Sequence, residues 1–197
     1  MDRQVGRLVS ALNQLNLRDD TLILFTTDNG TAGASYLRYE KGKYVRPKVF
    51  SEINGESVQG GKGKLNDWGT RVPLIANWPG QVAAGQVVDD LVDFSDFLPT
   101  LAEVTGAALP DKVALNGHSF ASSILGTGRS SRHWAYAEGR SSQQYVRTRT
   151  HKLYSNGRFF DMNADPEEEH PLGDVSDDVA AIRATLEAAL QELPKPK

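Results

Sequence analysis

The run Thr21-Leu22-Ile23-Leu24-Phe25-Thr26-Thr27 constrains the fold of this chain more than any other stretch. It is apolar and strand-prone but does not alternate, so both of its faces call for cover, as in the parallel sheet of an α/β protein. Asp28-Asn29-Gly30 closes it abruptly. Upstream, Val5, Leu8, Val9, Leu12 and Leu15 recur at helical spacing and predict an amphipathic helix over residues 2–16. Residues 71–78 read as a second buried strand, stopped by Pro79-Gly80. A helix is predicted over 95–104, with Ser95 as N-cap and Gly106 as its stop, and a short one over 119–125, ending at Gly126. Residues 31–61 carry little periodicity and are expected to be irregular, which in a compact domain marks a functional or a disordered segment.

The last third changes character. Residues 134–137, 145–154 and 158–162 are strand-rich, and Asn156-Gly157 is a hairpin signal between the latter two. Residues 165–169 read as a solvated acidic turn. Ser176 is the expected cap of a final helix, with Asp177 and Asp178 in its first turn where the helix dipole favours anions. Its apolar face is Val179, Ile182, Leu186, Leu190 and Leu193, a core stripe ended by Pro194. The reading is therefore an α/β part over residues 1–128 and a small antiparallel β-sheet with a helix over 129–197.

Composition removes several classes of function. With 39% hydrophobic residues the chain can fill a core, and 22 Lys+Arg against 25 Asp+Glu leave no global basic field for nucleic acid. The absence of cysteine excludes disulfides, thiolate metal sites, iron–sulfur clusters and a cysteine nucleophile within these residues. No run approaches the about 18 apolar residues of a membrane span. The uncharged stretch 72–88 is broken by Pro73, Asn77, Pro79 and Gly80. The N-terminus has no apolar core of a signal peptide and enters a helical pattern directly, as if the chain began inside a larger protein.

Two constellations bear on chemistry. Asp28 and Asn29, at the carboxyl end of a strand, offer hard oxygens that suit Ca²⁺ or Mg²⁺, and Gly30 lets the backbone turn sharply. A simple tight turn is the competing reading, although Thr31-Ala32-Gly33-Ala34-Ser35 does not look like a returning strand. In Gly60-Gly61-Lys62-Gly63-Lys64 the glycines allow close approach of the backbone to an anion that the ammonium meets. A flexible solvated loop is the alternative, and the spacing is not that of a P-loop. His118, His133, His151 and His170 lack metal-binding spacing, and no GxSxG elbow is present. Arg147 and Arg149 share a strand face and either hold an anion or pair with the acidic turn.

Taken in order, TLILFTTDNG, QGGKGKLNDWGTRVPLIANWPG, LVDFSDFLPTLAEVTG, LNGHSFASSILG and VRTRTHKLYSNGRFFDMNADPEE resemble the C-terminal half of the sulfatases, members of the alkaline-phosphatase-like superfamily. The resemblance implies part of an alkaline-phosphatase-like α/β sheet with flanking helices, followed by a small antiparallel β-sheet and a C-terminal helix. It also implies hydrolysis of sulfate esters by a formylglycine made from Cys or Ser in a C/S-x-P-x-R motif, with a divalent cation, usually Ca²⁺, holding the sulfate. Asp28 and Asn29 match the family's late metal ligands. Lys62 matches the catalytic lysine that binds a sulfate oxygen. The expected partner is a sulfated small molecule or glycan, with neither nucleic acid nor membrane, in an exported (periplasmic or extracellular) or lysosomal setting. The nucleophile motif is missing here: there is no cysteine, and no serine stands two before a proline. The resemblance thus implies a C-terminal fragment, expected to be silent by itself, to bind Ca²⁺ weakly or not at all, and to be prone to self-association through an uncovered strand edge. Residues 31–59 lie between the metal pair and Lys62, where Tyr36, Arg38, Tyr39 and Arg46 are candidates to contact a sugar. Two alternatives stand beside this: a phosphate- or phosphonate-ester hydrolase of the same superfamily, and a non-catalytic module binding a sulfated glycan through Arg147, Arg149, Lys152 and Arg158.

Overall fold

The structure, a computed structural model, describes residues 1–53 and 55–193. The chain falls into two compact units. One joins Met1–Thr26 to Pro73–Arg132; the other joins Thr27–Val72 to the segment from His133 onward.

The helical spacing at the start produces α1, Asp2–Gln14, and the apolar run produces strand β1, Ile23–Thr26. Next come two hairpins, of β2 (Arg38–Glu40) with β3 (Lys43–Val45) and of β4 (Phe50–Ile53) with β5 (Glu56–Gln59). A one-turn helix α2, Asp67–Thr70, precedes strand β6, Leu74–Asn77.

β6 pairs with β1 antiparallel, Phe25 opposite Ile75. The expectation of a parallel strand covered on both faces is corrected here. Among the described residues no third strand joins this ladder, and Ile75 and Asn77 alternate to the exposed face. β1 is half-buried along its length, and α1 buries none of its residues. Arg18 fastens the pair by bonding the Thr21 carbonyl at 3.1 Å and the Asn77 side chain.

In the same unit α3 runs Phe97–Thr105, entered through a 3-10 turn at Phe94–Asp96, and α4 runs Ala121–Leu125. Asp93, not Ser95, caps this entry: its carboxylate accepts from the Ser95 amide, and the Asp96 side chain reciprocates on the Asp93 amide. An aspartate just upstream displaces the serine because, with Asp96 three residues on, it completes a capping box. Gly106 and Gly126 end the two helices in left-handed conformation, as the sequence predicts. Asp96 is fully buried and satisfied by the His118 amide at 2.7 Å and the Arg132 guanidinium.

The second unit holds a four-stranded antiparallel sheet in order β10-β9-β8-β7, formed by β7 (Ala135–Glu138), β8 (Gln144–Arg147), β9 (His151–Tyr154) and β10 (Phe159–Asp161). Strand alternation sends Val146, Leu153 and Phe159 to one face, where they meet Leu186 and Ala189 of α5, Asp177–Glu192. Val179, Ile182, Leu190 and Leu193 pack against this core, as the apolar stripe predicts. Ser176 stands at the N-cap position without a side-chain bond to the helix. The other face carries Tyr145, Tyr154, Phe160 and Met162. Gly157, at φ +87°, closes the β9–β10 hairpin, with its amide bonded to the Tyr154 carbonyl at 2.9 Å. Among the described residues, no helix is long and apolar enough to cross a membrane.

Candidate functional site

Within the second unit, backbone hydrogen bonds gather the segment after Asp28-Asn29 against the glycine-rich loop. The Gly30 amide donates to the Gly69 carbonyl at 2.9 Å, and the Lys62 amide to the Thr31 carbonyl at 3.0 Å. Further along, the Val49 amide bonds Gly33 O at 3.2 Å, the Ser35 amide bonds Pro47 O at 2.8 Å, and the Gly60 amide bonds Val49 O at 3.0 Å. Residues 30–35 are thus held between two neighbouring segments. The arrangement admits no side chain at the crossing points. A Cβ on Gly30 would lie 1.8 Å from the Trp68 carbonyl oxygen, one on Gly60 2.4 Å from Ala32 O, and one on Gly61 2.6 Å from Trp68 Cβ. Gly60 and Gly61 therefore serve backbone packing, whereas the sequence suggests they admit an anion. Gly63, at φ +86°, turns the loop, with the Lys64 amide closing on Gly61 O at 2.8 Å, and leaves Lys62 exposed.

Asp28 is exposed and Asn29 half-buried. The Asn29 carbonyl accepts from the Thr27 hydroxyl at 3.2 Å. Both side chains present the hard oxygens that a Ca²⁺ or Mg²⁺ ion takes, and the Asp28 carboxylate is the one charged donor of the two. No group of three or more His, Asp or Glu residues with metal-binding geometry occurs among the described residues, so this pair fits part of a coordination shell that wants about six to eight oxygens.

Lys62 also lines a cavity of about 470 Å³ with Ser35, Tyr36, Arg38, Arg46 and Val49. Of the residues singled out as sugar contacts, Tyr36, Arg38 and Arg46 come together at this cavity. Tyr39 instead packs on Tyr44 across its hairpin, ring centroids 5.1 Å apart. The expectation of an irregular segment is corrected: β2 pairs with β3 and β4 with β5 to give the two hairpins. Their strands are mostly exposed on both faces, so no alternation marks them. Lys41 and Gly42, at φ +50° and +80°, make the first tip. The signal for the second was Asn54-Gly55, of which Gly55 sits at φ +84°.

Sequence reasoning missed a charge network on the inner face of the four-stranded sheet. Lys152 is fully buried; its Nζ donates to Glu168 Oε1 at 2.7 Å and to the Leu65 carbonyl at 2.6 Å, and lies 4.0 Å from the Tyr145 ring centre. Arg147 grips Asp67 through both carboxylate oxygens at 2.7 and 2.8 Å. The Tyr154 hydroxyl donates to Glu168, and the Tyr145 hydroxyl to Thr70 at 2.9 Å. Burial lowers the Lys152 ammonium from its ordinary value despite Glu168 beside it. Burial also pushes the Tyr145 phenol up to about 12, and raises Tyr154 with help from the Glu168 bond. This network corrects the glycan-module reading. Arg147 and Lys152 are spent on Asp67 and Glu168, and Arg158 stacks over Phe160 at 4.8 Å while bonding Glu168 O. A lysine between apolar strand residues was the available signal, since alternation puts Lys152 and Tyr154 on one face.

In architecture, mixed α and β elements followed by a small antiparallel sheet and a closing helix, the chain is similar to solved sulfatase structures. A sulfatase from Pseudoalteromonas sp. superposes with a TM-score of 0.68 at 23% identity over 98% of this chain and 42% of its own. A structure solved in complex with its substrate D-glucosamine-2-N,6-O-disulfate superposes with a TM-score of 0.71 at 23% identity, over 97% of this chain and 37% of its own. The chain belongs to the sulfatase family: the Sulfatase family pattern matches residues 1–107, and that of the N-sulphoglucosamine sulphohydrolase C-terminal region matches residues 61–196. Human arylsulfatase A is 36% identical over 135 residues, which are 67% of this chain and 23% of that protein. The N-acetylgalactosamine-6-O-sulfatase of Bacteroides thetaiotaomicron is 26% identical over 194 residues, 86% of this chain and 36% of the relative. The chain thus spans between about a fifth and two fifths of the curated relatives it matches.

Proposed function

We propose that this chain is the C-terminal portion of a sulfatase that hydrolyses sulfate esters of a sulfated sugar or other small molecule. The observation that carries the reading is the backbone bond from Lys62 to Thr31, which sets the lysine beside the segment following Asp28-Asn29. Asp28 and Asn29 contribute oxygens to a divalent cation, most readily Ca²⁺, which when bound withdraws negative charge from the sulfate oxygens. Lys62, exposed at the turn, meets a sulfate oxygen and offsets the charge that develops as the ester bond breaks. The loop backbone is fixed by its hydrogen bonds, which sets where the lysine side chain starts. The nucleophile, a formylglycine, belongs to sequence outside these residues, and the 197-residue chain alone is catalytically silent. Export or lysosomal delivery is the setting that goes with this family.

Parallel assays of the full-length protein on 4-nitrophenyl sulfate and 4-nitrophenyl phosphate test the reading. Faster turnover of the sulfate supports it; preference for the phosphate supports the phosphate-ester alternative and defeats it. The isolated chain is expected to self-associate, because β1 and β6 each keep an unpaired edge among the described residues and Leu8, Leu15 and Ile75 are exposed. A stable monomer in light scattering at high concentration contradicts that expectation.

A further inference from the structure

We propose that Arg38 and Arg46 form a second anion subsite beside Lys62, so that the preferred ligand is a sugar carrying a second sulfate or a carboxylate besides its sulfate ester. The inference rests on the sulfatase reading for the role of Lys62, and on the cavity itself for everything else.

Residues 31–62 hold six Lys or Arg against three Glu, in a chain whose net charge is −3. The hairpin concentrates this excess. Arg38 stands opposite Val45 in the ladder, Arg46 follows Val45 at the open end of the hairpin just past the strand, and both arginines reach the lining of one cavity. That end is tied back by the Ala34–Lys48 bridge and the Ser35–Pro47 bond, and the same 31–35 segment accepts the Lys62 amide at Thr31 O. Arg38, Arg46 and Lys62 all line one cavity, and no acidic residue lines it among the described residues. Among the described residues Arg46 bonds through its Nε, to the Ser35 carbonyl at 3.4 Å. Three cations facing one cavity repel each other until an anion enters. A guanidinium binds the planar edge of a carboxylate or two oxygens of a sulfate through paired N–H bonds, which a lone ammonium does not match. At about 470 Å³ the cavity falls within the range of small-molecule sites, and Tyr36, 93% exposed, offers an aromatic face to a sugar ring at its rim.

Calorimetric titration of the 197-residue chain tests this with three probes: glucosamine 6-O-sulfate, glucosamine 2-N,6-O-disulfate, and a monosulfated disaccharide bearing a uronic acid. The disulfated sugar is expected to bind about tenfold more tightly than the monosulfated one, the scale of one added charge-assisted fork. Arg38→Ala and Arg46→Ala should each bring that ratio close to one, Arg46→Lys should restore only part of it, and Lys112→Ala, in a distant stretch of sequence, should leave it unchanged. Binding of the uronate probe as tight as the disulfate marks a subsite for either anion; tight binding of the disulfate alone marks one for sulfate. Equal affinities for the mono- and disulfated sugars, no detectable binding of any probe, or a preference that survives Arg38→Ala/Arg46→Ala overturns the subsite. Turnover of 4-nitrophenyl sulfate by the full-length protein judges the sulfatase reading separately, since that ester has no second anion.

Discussion

Lys152 and Glu168 form an ion pair shielded from solvent, Nζ to Oε1 at 2.7 Å, which joins strand β9 to the acidic turn and, through Leu65 O, to the loop preceding α2. The pair explains how the small sheet holds residues 65–70, whose backbone in turn leaves room for Gly30 and Gly61. Lys152→Met strands the Glu168 carboxylate in the interior, and a broken buried pair of this kind costs about 3–5 kcal/mol. Lys152→Met/Glu168→Gln should recover a large part of that loss. Urea denaturation of the three proteins measures both effects; a single variant within about 1 kcal/mol of the parent contradicts the pairing.

Gly30 and Gly61 approach the Trp68 backbone too closely for any side chain. Gly61→Ala should destabilise by about 1–3 kcal/mol, the usual scale of overpacking, and shift the resonances of Lys62. Gly173 is the control: a methyl carbon there would have no neighbour within 4 Å, and its φ is not positive. Gly173→Ala should be neutral or slightly stabilising. Equal effects at the two positions would sink the close-packing account.

The buried phenols predict the alkaline limb of stability. Tyr145 ionises at about 12 in the folded chain against 10.0 for the free group, and Tyr154 is shifted upward too. Raised folded values mean that their contribution is complete below pH 10 and is lost as pH rises from 10 towards 12. For Tyr145 alone the loss amounts to roughly 2–3 kcal/mol. Tyrosinate absorbance should therefore show Tyr145 and Tyr154 titrating late and together with unfolding, with Tyr136, raised by burial and by its bond to Glu138, also above the ordinary value; six tyrosines titrating as one group near the ordinary value would contradict this.

The sequence was most informative where one period dominates a segment. Val179, Ile182, Leu186 and Leu190 announce the last helix because one face must meet a core, and Asn156-Gly157 announces its hairpin because glycine alone adopts that backbone freely. It misled where tertiary pairing overrides local pattern. The 21–27 run reads as a strand covered on both sides, yet in these residues its partner is antiparallel and it is only half-buried along its length. Arg38 and Arg46 were legible as candidates but not as neighbours: the cavity both line depends on the pairing of residues 33–35 with 47–49, which no local pattern announces. Lys152 looked like a surface cation because a lone lysine usually is one; its buried partner Glu168 stands 16 residues away in a turn that reads as solvated.

The central claim is that Lys62, held against Thr31, acts on a sulfate ester beside Asp28 and Asn29. It is tested most directly by steady-state turnover of 4-nitrophenyl sulfate by the full-length protein and its Lys62→Ala variant, with Lys64→Ala as a control two residues away. Lys62→Ala should lower kcat by about 10²–10³, the scale of removing one charge-stabilising donor, and Lys64→Ala should change it little. A Lys62→Ala protein that folds normally and turns over sulfate esters at the parent rate would contradict the account.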